Sequence, residues 1–374
     1  MRDDEQLRPW FESAVAQVAG VEIFDAHTHV GENDPDGFKA VAADIAGALE
    51  LADARGVVFP FHEPDGYSDA NARVIADAAA SGGQLVAFAR LDPAAGDAAA
   101  EAERQLDAGA AGIKLHPRSE GFTMDDPGVR QIVEVVHERR VPVLIHAGRG
   151  IPALGRHAAD LAEALPGAQV ILAHCGISDL SWIWRAAAGT PNLYFDTSWW
   201  SPADVIALCT LVPPGQVLFA SDAPYGTPLQ HSLFVLRCAL HAGLSLDQIR
   251  GVMGGQTARL VSGQEPLDLG PALERRELPS DVLLMRVNSF LHTAIGRIFA
   301  GADGEETIAL ARLACYTGEE EPQRHVFRSI LRLLDLAEER LPPTPLAPNS
   351  DGVHLLPTAI CLSATPDVPV PALD

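Results

Sequence analysis

The sequence predicts an α/β fold, a (β/α)8 TIM barrel followed by a C-terminal helical extension, and three observations carry that prediction. Up to about residue 263, eight short apolar runs alternate with longer Ala/Leu-rich, charged segments, as a strand and a helix repeated eight times would. Nearly every run stays apolar until its last residues and then ends in a polar one, at the rim where barrel enzymes carry their sites. The rival, an open doubly wound sheet, lacks its mark: no Gly-x-Gly-x-x-Gly follows the first run.

In chain order the strand candidates are residues 21–27, 56–62, 84–92, 112–117, 141–148, 168–176, 192–198 and 216–224. Segments such as "DIAGALELADARG", "DAAAEAERQLDAGA" and "DPGVRQIVEVVHERR" have helical composition and period. Several close on glycine before the next strand, as at Gly56, Gly109 and Gly112. Beyond residue 264 the alternation stops, so the expected division is a barrel over 1–263 and an extension over 264–374. Three helical patterns follow, beginning "DVLLMRVNSF", "GEETIALARL" and "PQRHVFRSIL". The last stretch, from "LPPTPLAPNS" onward, holds so much proline that it reads as an extended arm or disorder rather than a helix.

Composition limits the function classes. Fifty acidic against 27 basic residues give a formal charge of −23, which disfavours nucleic acid and anionic membrane surfaces. The N-terminal stretch has neither the basic start nor the apolar core of a secretion signal. No stretch has the apolar length of a membrane span. The five cysteines are scattered without Cys-x-x-Cys spacing, which suits a reducing compartment. A cytoplasmic protein acting on a small molecule is the expectation.

The stretch "FDAHTHVG" (24–31) carries two histidines two apart, and in a strand residues i and i+2 share a face. By that parity His27 and His29 point with Asp25 and Ile23, and His146 with Leu144. His174 points with Leu172 and Val170, and Asp222 with Ala220 and Leu218. Four imidazoles and a carboxylate then converge on the barrel axis. That is a ligand set for one divalent ion, Zn2+ first, with Mn2+, Fe2+ or Co2+ also acceptable.

The ordered motifs "DAHTHVG", "GIKLHP", "LIHAG", "LAHCG" and "FASDAP" resemble the amidohydrolase superfamily, and within it the branch that includes aminocarboxymuconate-semialdehyde decarboxylase. The resemblance covers about residues 20–263. It implies that His27, His29 and His146 ligate the metal, that Asp222 is a ligand or the general base on a metal-bound water, and that His174 polarises or orients. It implies hydrolysis of an amide, lactone or other ester-like bond, the alternative being non-oxidative decarboxylation on the same site. Lys114 of "GIKLHP" corresponds to a lysine that some superfamily members carboxylate to bridge two metals; a substrate-facing or salt-bridged lysine is the milder reading.

His116 shares a face with Lys114 and is a substrate-contact candidate, and Arg90 and Arg149 suit a carboxylate-bearing substrate. Asp196 and Ser198 point inward by parity, with Trp199 and Trp200 near the mouth, while Cys175 faces the helices. In the extension, Leu284, Val287, Leu291 and Ile298 form an apolar stripe that needs a partner, either the barrel's own helices or a second subunit in a homodimer. Met285, His292 and His325 read as packing or interface residues.

Overall fold

The computed structural model describes residues 4–148, 151, 154–274, 277–342 and 346–372. All eight strands form: β1 (Ile23–Val30), β2 (Ala54–Pro60), β3 (Leu85–Arg90), β4 (Gly112–Leu115), β5 (Pro142–Ile145), β6 (Gln169–Leu172), β7 (Leu193–Asp196) and β8 (Val217–Leu218). They pair in sequence order, every pair parallel. The sheet closes where the chain beyond β8 returns to β1: Ala26 N–H donates to Phe219 O (2.9 Å), Asp222 N–H to His27 O (3.0 Å) and His29 N–H to Ala223 O (2.7 Å). Closure is therefore made by the backbone of the residues whose side chains form the site.

The helices before and between the strands are α1 (Arg8–Val15), α2 (Ala42–Leu51), α3 (Ser68–Ala80), α4 (Ala98–Asp107), α5 (Pro117–Glu120), α6 (Pro127–Arg139), α7 (Leu154–Ala164), α8 (Leu180–Ala187) and α9 (Pro202–Leu211). After β8 come α10 (Pro228–Ala242), α11 (Leu246–Arg250) and α12 (Gln256–Val261). Two apolar clusters result. The larger lies between strands and helices. The smaller fills the barrel with one inward row per strand, including Phe24, Val57, Phe88, Leu144, Tyr194 and Leu218, and Leu260 of α12 packs into it.

The inward rows correct two of the parity assignments. On β1 the interior residues are Phe24 and Ala26, while Ile23 packs outward. The register slips between Asp25 and Thr28, and this bulge turns His27 and His29 inward although Ile23 is not. On β6 the interior residue is Ile171; Val170 and Leu172 face the helices. The strand ends at Leu172, and His174 and Cys175 both take left-handed backbone (φ 55° and 59°). His174 reaches the axis through that turn, not through strand parity.

The extension holds α13 (Val282–Phe299), α14 (Glu305–Ala314), α15 (Arg324–Glu338) and α16 (Leu355–Ala364). The last is a helix where proline content argued against one. Pro357 sits in its first turn, where a missing N–H breaks no intrahelical bond. Its apolar residues are buried, and Arg237 of α10 binds the chain that follows, donating to the carbonyls of Thr365 (2.8 Å), Val368 (3.0 Å) and Pro369 (2.7 Å). The stripe of Leu284, Val287, Leu291 and Ile298 is buried, and α13 packs on α14 and α16. Within the chain, the stripe is therefore covered by the extension's own helices. Met285 and His325 are exposed on this chain, so they do not pack in its core. No described helix is long and apolar enough to cross a membrane.

Candidate metal centre

At the rim, His27 and His29 leave the β1 bulge side by side, with Asp222 across the closure. Three atoms meet closely: His27 Nε2 and His29 Nε2 are 3.0 Å apart, and Asp222 Oδ1 lies 3.2 Å and 3.0 Å from them. Atoms bound about 2.0–2.2 Å from one ion at angles of about 90–110° stand roughly 3.0–3.5 Å apart, so these separations are edges of a coordination sphere. His174, with His27 and Asp222, completes a compact group. Its Nδ1 is 4.0 Å from Asp222 Oδ2.

Asp196 orders the imidazoles from below. His27 Nδ1 donates to its Oδ2 (2.7 Å), and its Oδ1 accepts the backbone N–H groups of His174 (2.9 Å) and Ser198 (3.0 Å). With Nδ1 protonated toward a carboxylate, His27 turns a bare Nε2 to the cluster, the tautomer a metal needs. His174 Nδ1 likewise faces Ser198 O (2.8 Å), leaving Nε2 bare 3.0 Å from His146 Nδ1. Burial holds all four imidazoles below their ordinary range, His27 at about 3, so they are neutral at physiological pH, as ligands must be. Burial also works to raise Asp196, but its interactions with His27, His174 and Ser198 outweigh it and hold the carboxyl below its ordinary range. Asp222, by contrast, is pushed well up by its burial. The donor set fits a divalent ion.

The remaining predicted residues take distinct places. His146 stands behind His174 and stacks on His116 (ring centroids 3.9 Å apart). A Cβ at Gly148 would lie 2.7 Å from His146 Nε2, so only glycine permits that approach. Lys114 is fully buried with Nζ 3.4 Å from His27 Nε2 and over the Phe59 ring, and burial lowers it to about 7. His116 caps α5, accepting Ser119 N–H at 3.1 Å. Arg90 is buried against Glu120 (2.7 Å), which also takes the Tyr67 hydroxyl (2.6 Å), so its charge is matched at the cavity edge. Arg149 lies outside the described residues.

A cavity of about 1030 Å3 opens over the cluster. Its lining includes Arg118, Tyr225 and Phe299, which the sequence pattern did not single out. Nor did it mark Glu120 as the partner of Arg90. Arg118 stands two residues beyond His116 and could have been found as an extension of "GIKLHP"; Phe299 carries no such signal.

The amidohydrolase family model matches residues 24–262, which span every strand but the first residue of β1 and every residue of the cluster. The chain belongs to the amidohydrolase family. This amidohydrolase shares its fold with 5-carboxyvanillate decarboxylase from Sphingomonas paucimobilis (TM-score 0.52, 16% identity, 65% of this chain and 99% of that one). The 2,6-dihydroxybenzoate decarboxylase from Rhizobium is equally similar, with the same score, identity and coverage. The 5-carboxyvanillate decarboxylase from Novosphingobium aromaticivorans, solved with bound manganese, matches at TM-score 0.51 and 12% identity over 65% of this chain and 97% of its own. No curated protein matches the amidohydrolase in sequence. The family is one of metal-dependent enzymes, and the rim cluster agrees with that.

Proposed function

We propose that this amidohydrolase is a metal-dependent decarboxylase that removes CO2, without oxidation, from a small aromatic or unsaturated carboxylic acid. One observation carries the reading: the two walls of the cavity differ in chemistry. His62, Arg90, His116 and Arg118 stand at the ends of β2 to β4, while Trp199, Trp200 and Tyr225 follow β7 and β8, about half a turn around the barrel. A flat acid fits between them, its carboxylate toward the basic wall and cluster, its ring toward the aromatics. The names of the structural neighbours, decarboxylases of aromatic acids, support the same substrate class.

His27, His29 and Asp222 would hold the ion, with His146 and His174 supplying the remaining imidazoles; zinc and manganese both suit this set. Bound there, the ion would polarise the oxygens of the acid. Arg118 at the rim attracts the carboxylate, since Arg90 is already matched by Glu120. His116 lines the same space as a substrate contact, while Lys114 lies buried beneath it against His27 and Phe59. Asp196 fixes the tautomer of His27, and Ser198 O that of His174. Asp222 turns Oδ1 to the imidazoles and lines the cavity, so its carboxyl is the group placed to take up a proton and deliver it to the substrate. That proton passes to the ring carbon as the bond to the carboxyl carbon breaks and CO2 leaves. The aromatic wall keeps water from the departing carbon.

The test is to incubate metal-loaded enzyme with hydroxylated benzoic acids and with lactones and amides. Anaerobic CO2 release with a ring product one carboxyl group smaller is expected. Hydrolysis of a lactone or amide with every acid untouched would overturn the reading in favour of hydrolysis through a metal-activated water. The feature that favours that second reading is Lys114: a neutral amine or its carbamate so close to His27 would suit a second ion. Elemental analysis separates the two cases, with about one ion per chain expected for the decarboxylase and about two for a binuclear hydrolase.

A further inference from the structure

We infer that the C-terminal extension builds a specificity subsite, an apolar side pocket that receives a short apolar branch of the substrate; the inference rests on the carboxylic-acid reading above. The family model matches residues 24–262, so the extension lies outside the segment that defines the family. It reaches the catalytic cavity directly. Phe299, at the end of α13, and Pro348, between α15 and α16, line the cavity above the cluster. They also line a second, smaller pocket of about 90 Å3 together with Ile295, Trp200, Tyr225 and Phe234. The two spaces share Trp200, Tyr225, Gly226, His231, Phe299 and Pro348, so they adjoin along that wall.

The side pocket is close to the chemistry and apolar in effect. The Tyr225 ring meets the His29 ring edge-on at 5.8 Å and its hydroxyl donates to Asp34, so its ring alone faces the pocket. Of the polar lining, the Gln230 amide donates to His354 O, and His354 Nε2 lies 3.3 Å from Asp4. Phe299 stacks against Trp200 (centroids 6.3 Å, planes 19° apart) yet remains 51% exposed. An aromatic side chain left half uncovered at a cavity mouth suits a surface that a ligand covers. Ninety cubic ångströms equals about three water volumes of roughly 30 Å3, room for a branch of about three carbons.

Calorimetric titration of the metal-loaded enzyme with benzoate and with 3- and 4-propylbenzoate tests the subsite without needing turnover. The corresponding amides serve as a second pair of probes, and metal content is measured in every sample. At least one propyl compound is expected to bind about ten- to fiftyfold tighter than its parent. In Phe299→Ser, which alters a half-exposed position, and in Ile295→Phe, which fills the pocket, that advantage should fall below about threefold. Metal content should stay as it was, and the propyl-to-parent ratio within each variant is the readout. A propyl advantage among the amides with no binding of any acid would sink the carboxylic-acid reading and leave the pocket standing. A propyl advantage absent from wild type, or surviving in both variants, or no binding of any probe, would overturn the subsite.

Discussion

The rim cluster and the C-terminal extension are built in opposite ways. The cluster hangs on strand ends whose backbone closes the barrel, and Asp222 and His27 are joined by that closure before their side chains meet. His174 and Asp222 both hold left-handed backbone, a strain of about 1–3 kcal/mol each that only a rigid surround sustains. The extension is helices on helices, tied to the barrel by a few buried side chains such as Arg237 and His354. The family model covers the first region and stops before the second, so the proposed metal chemistry falls in one and the proposed side pocket draws on the other.

The sharpest break would come at the cluster. His27→Ala/His29→Ala should lose the bound metal and about a thousandfold or more in turnover, with the circular-dichroism spectrum unchanged; metal retained at wild-type stoichiometry would place the ion elsewhere. The next effect belongs to the extension. Arg237→Met leaves the carbonyls of buried Thr365 and Val368, and that of Pro369, without their donor, which should cost about 2–4 kcal/mol and open the chain after Thr365 to limited proteolysis. Metal content should not change. If metal were lost too, the two regions would be one cooperative unit and the division would fail.

Between them in effect lies Asp196→Asn. The amide can no longer accept from His27 Nδ1 with a full charge, so His27 loses the group that fixes its tautomer. Support of this kind is worth about 10–100-fold in metal affinity. A competition titration with a chelator measures it, and an unchanged affinity would show that Asp196 serves only the backbone of His174 and Ser198.

The two regions also differ in how far they could be read from sequence. The eight strands were legible because each is an apolar run with a polar end, and a parallel strand buried on both faces needs that composition. The residues of the cluster were legible for the same reason. Their geometry was not. The bulge after Asp25 and the left-handed turn at His174 both change which residues point inward, and neither leaves a mark in a two-residue period. Asp196 could be placed inward, but its bond to His27 joins residues 169 apart and appears only in the folded barrel. In the extension, counting prolines hid α16, because position within the first turn, not number, decides whether proline breaks a helix. Phe299 as a cavity wall depends on where α13 docks, which its own period does not encode.

The smallest effect concerns Lys114 and asks whether the cluster's surround is as dry as its burial implies. Burial lowers this lysine from 10.5 to about 7. In chain stripped of metal by a chelator, the folded lysine is therefore mostly neutral above pH 7, while the unfolded one still holds its proton. The unfolded state binds the extra proton between about 7 and 10.5, so this group makes stability rise with pH across that window. Below pH 7 both states carry the charge and its burial opposes folding. Lys114→Met removes the titration, and the difference in unfolding free energy between wild type and variant should change by about 1 kcal/mol per pH unit, in favour of wild type as pH rises. Taking the difference cancels the buried cysteines and tyrosines, which act in the opposite direction at higher pH because burial raises them. Urea titrations at pH 7.0, 7.5, 8.0 and 8.5 measure the slope. A difference that does not vary with pH would mean that water or a carboxylate keeps Lys114 charged, and that the floor of the cluster is wetter than the packing of Phe59 and His27 around it suggests.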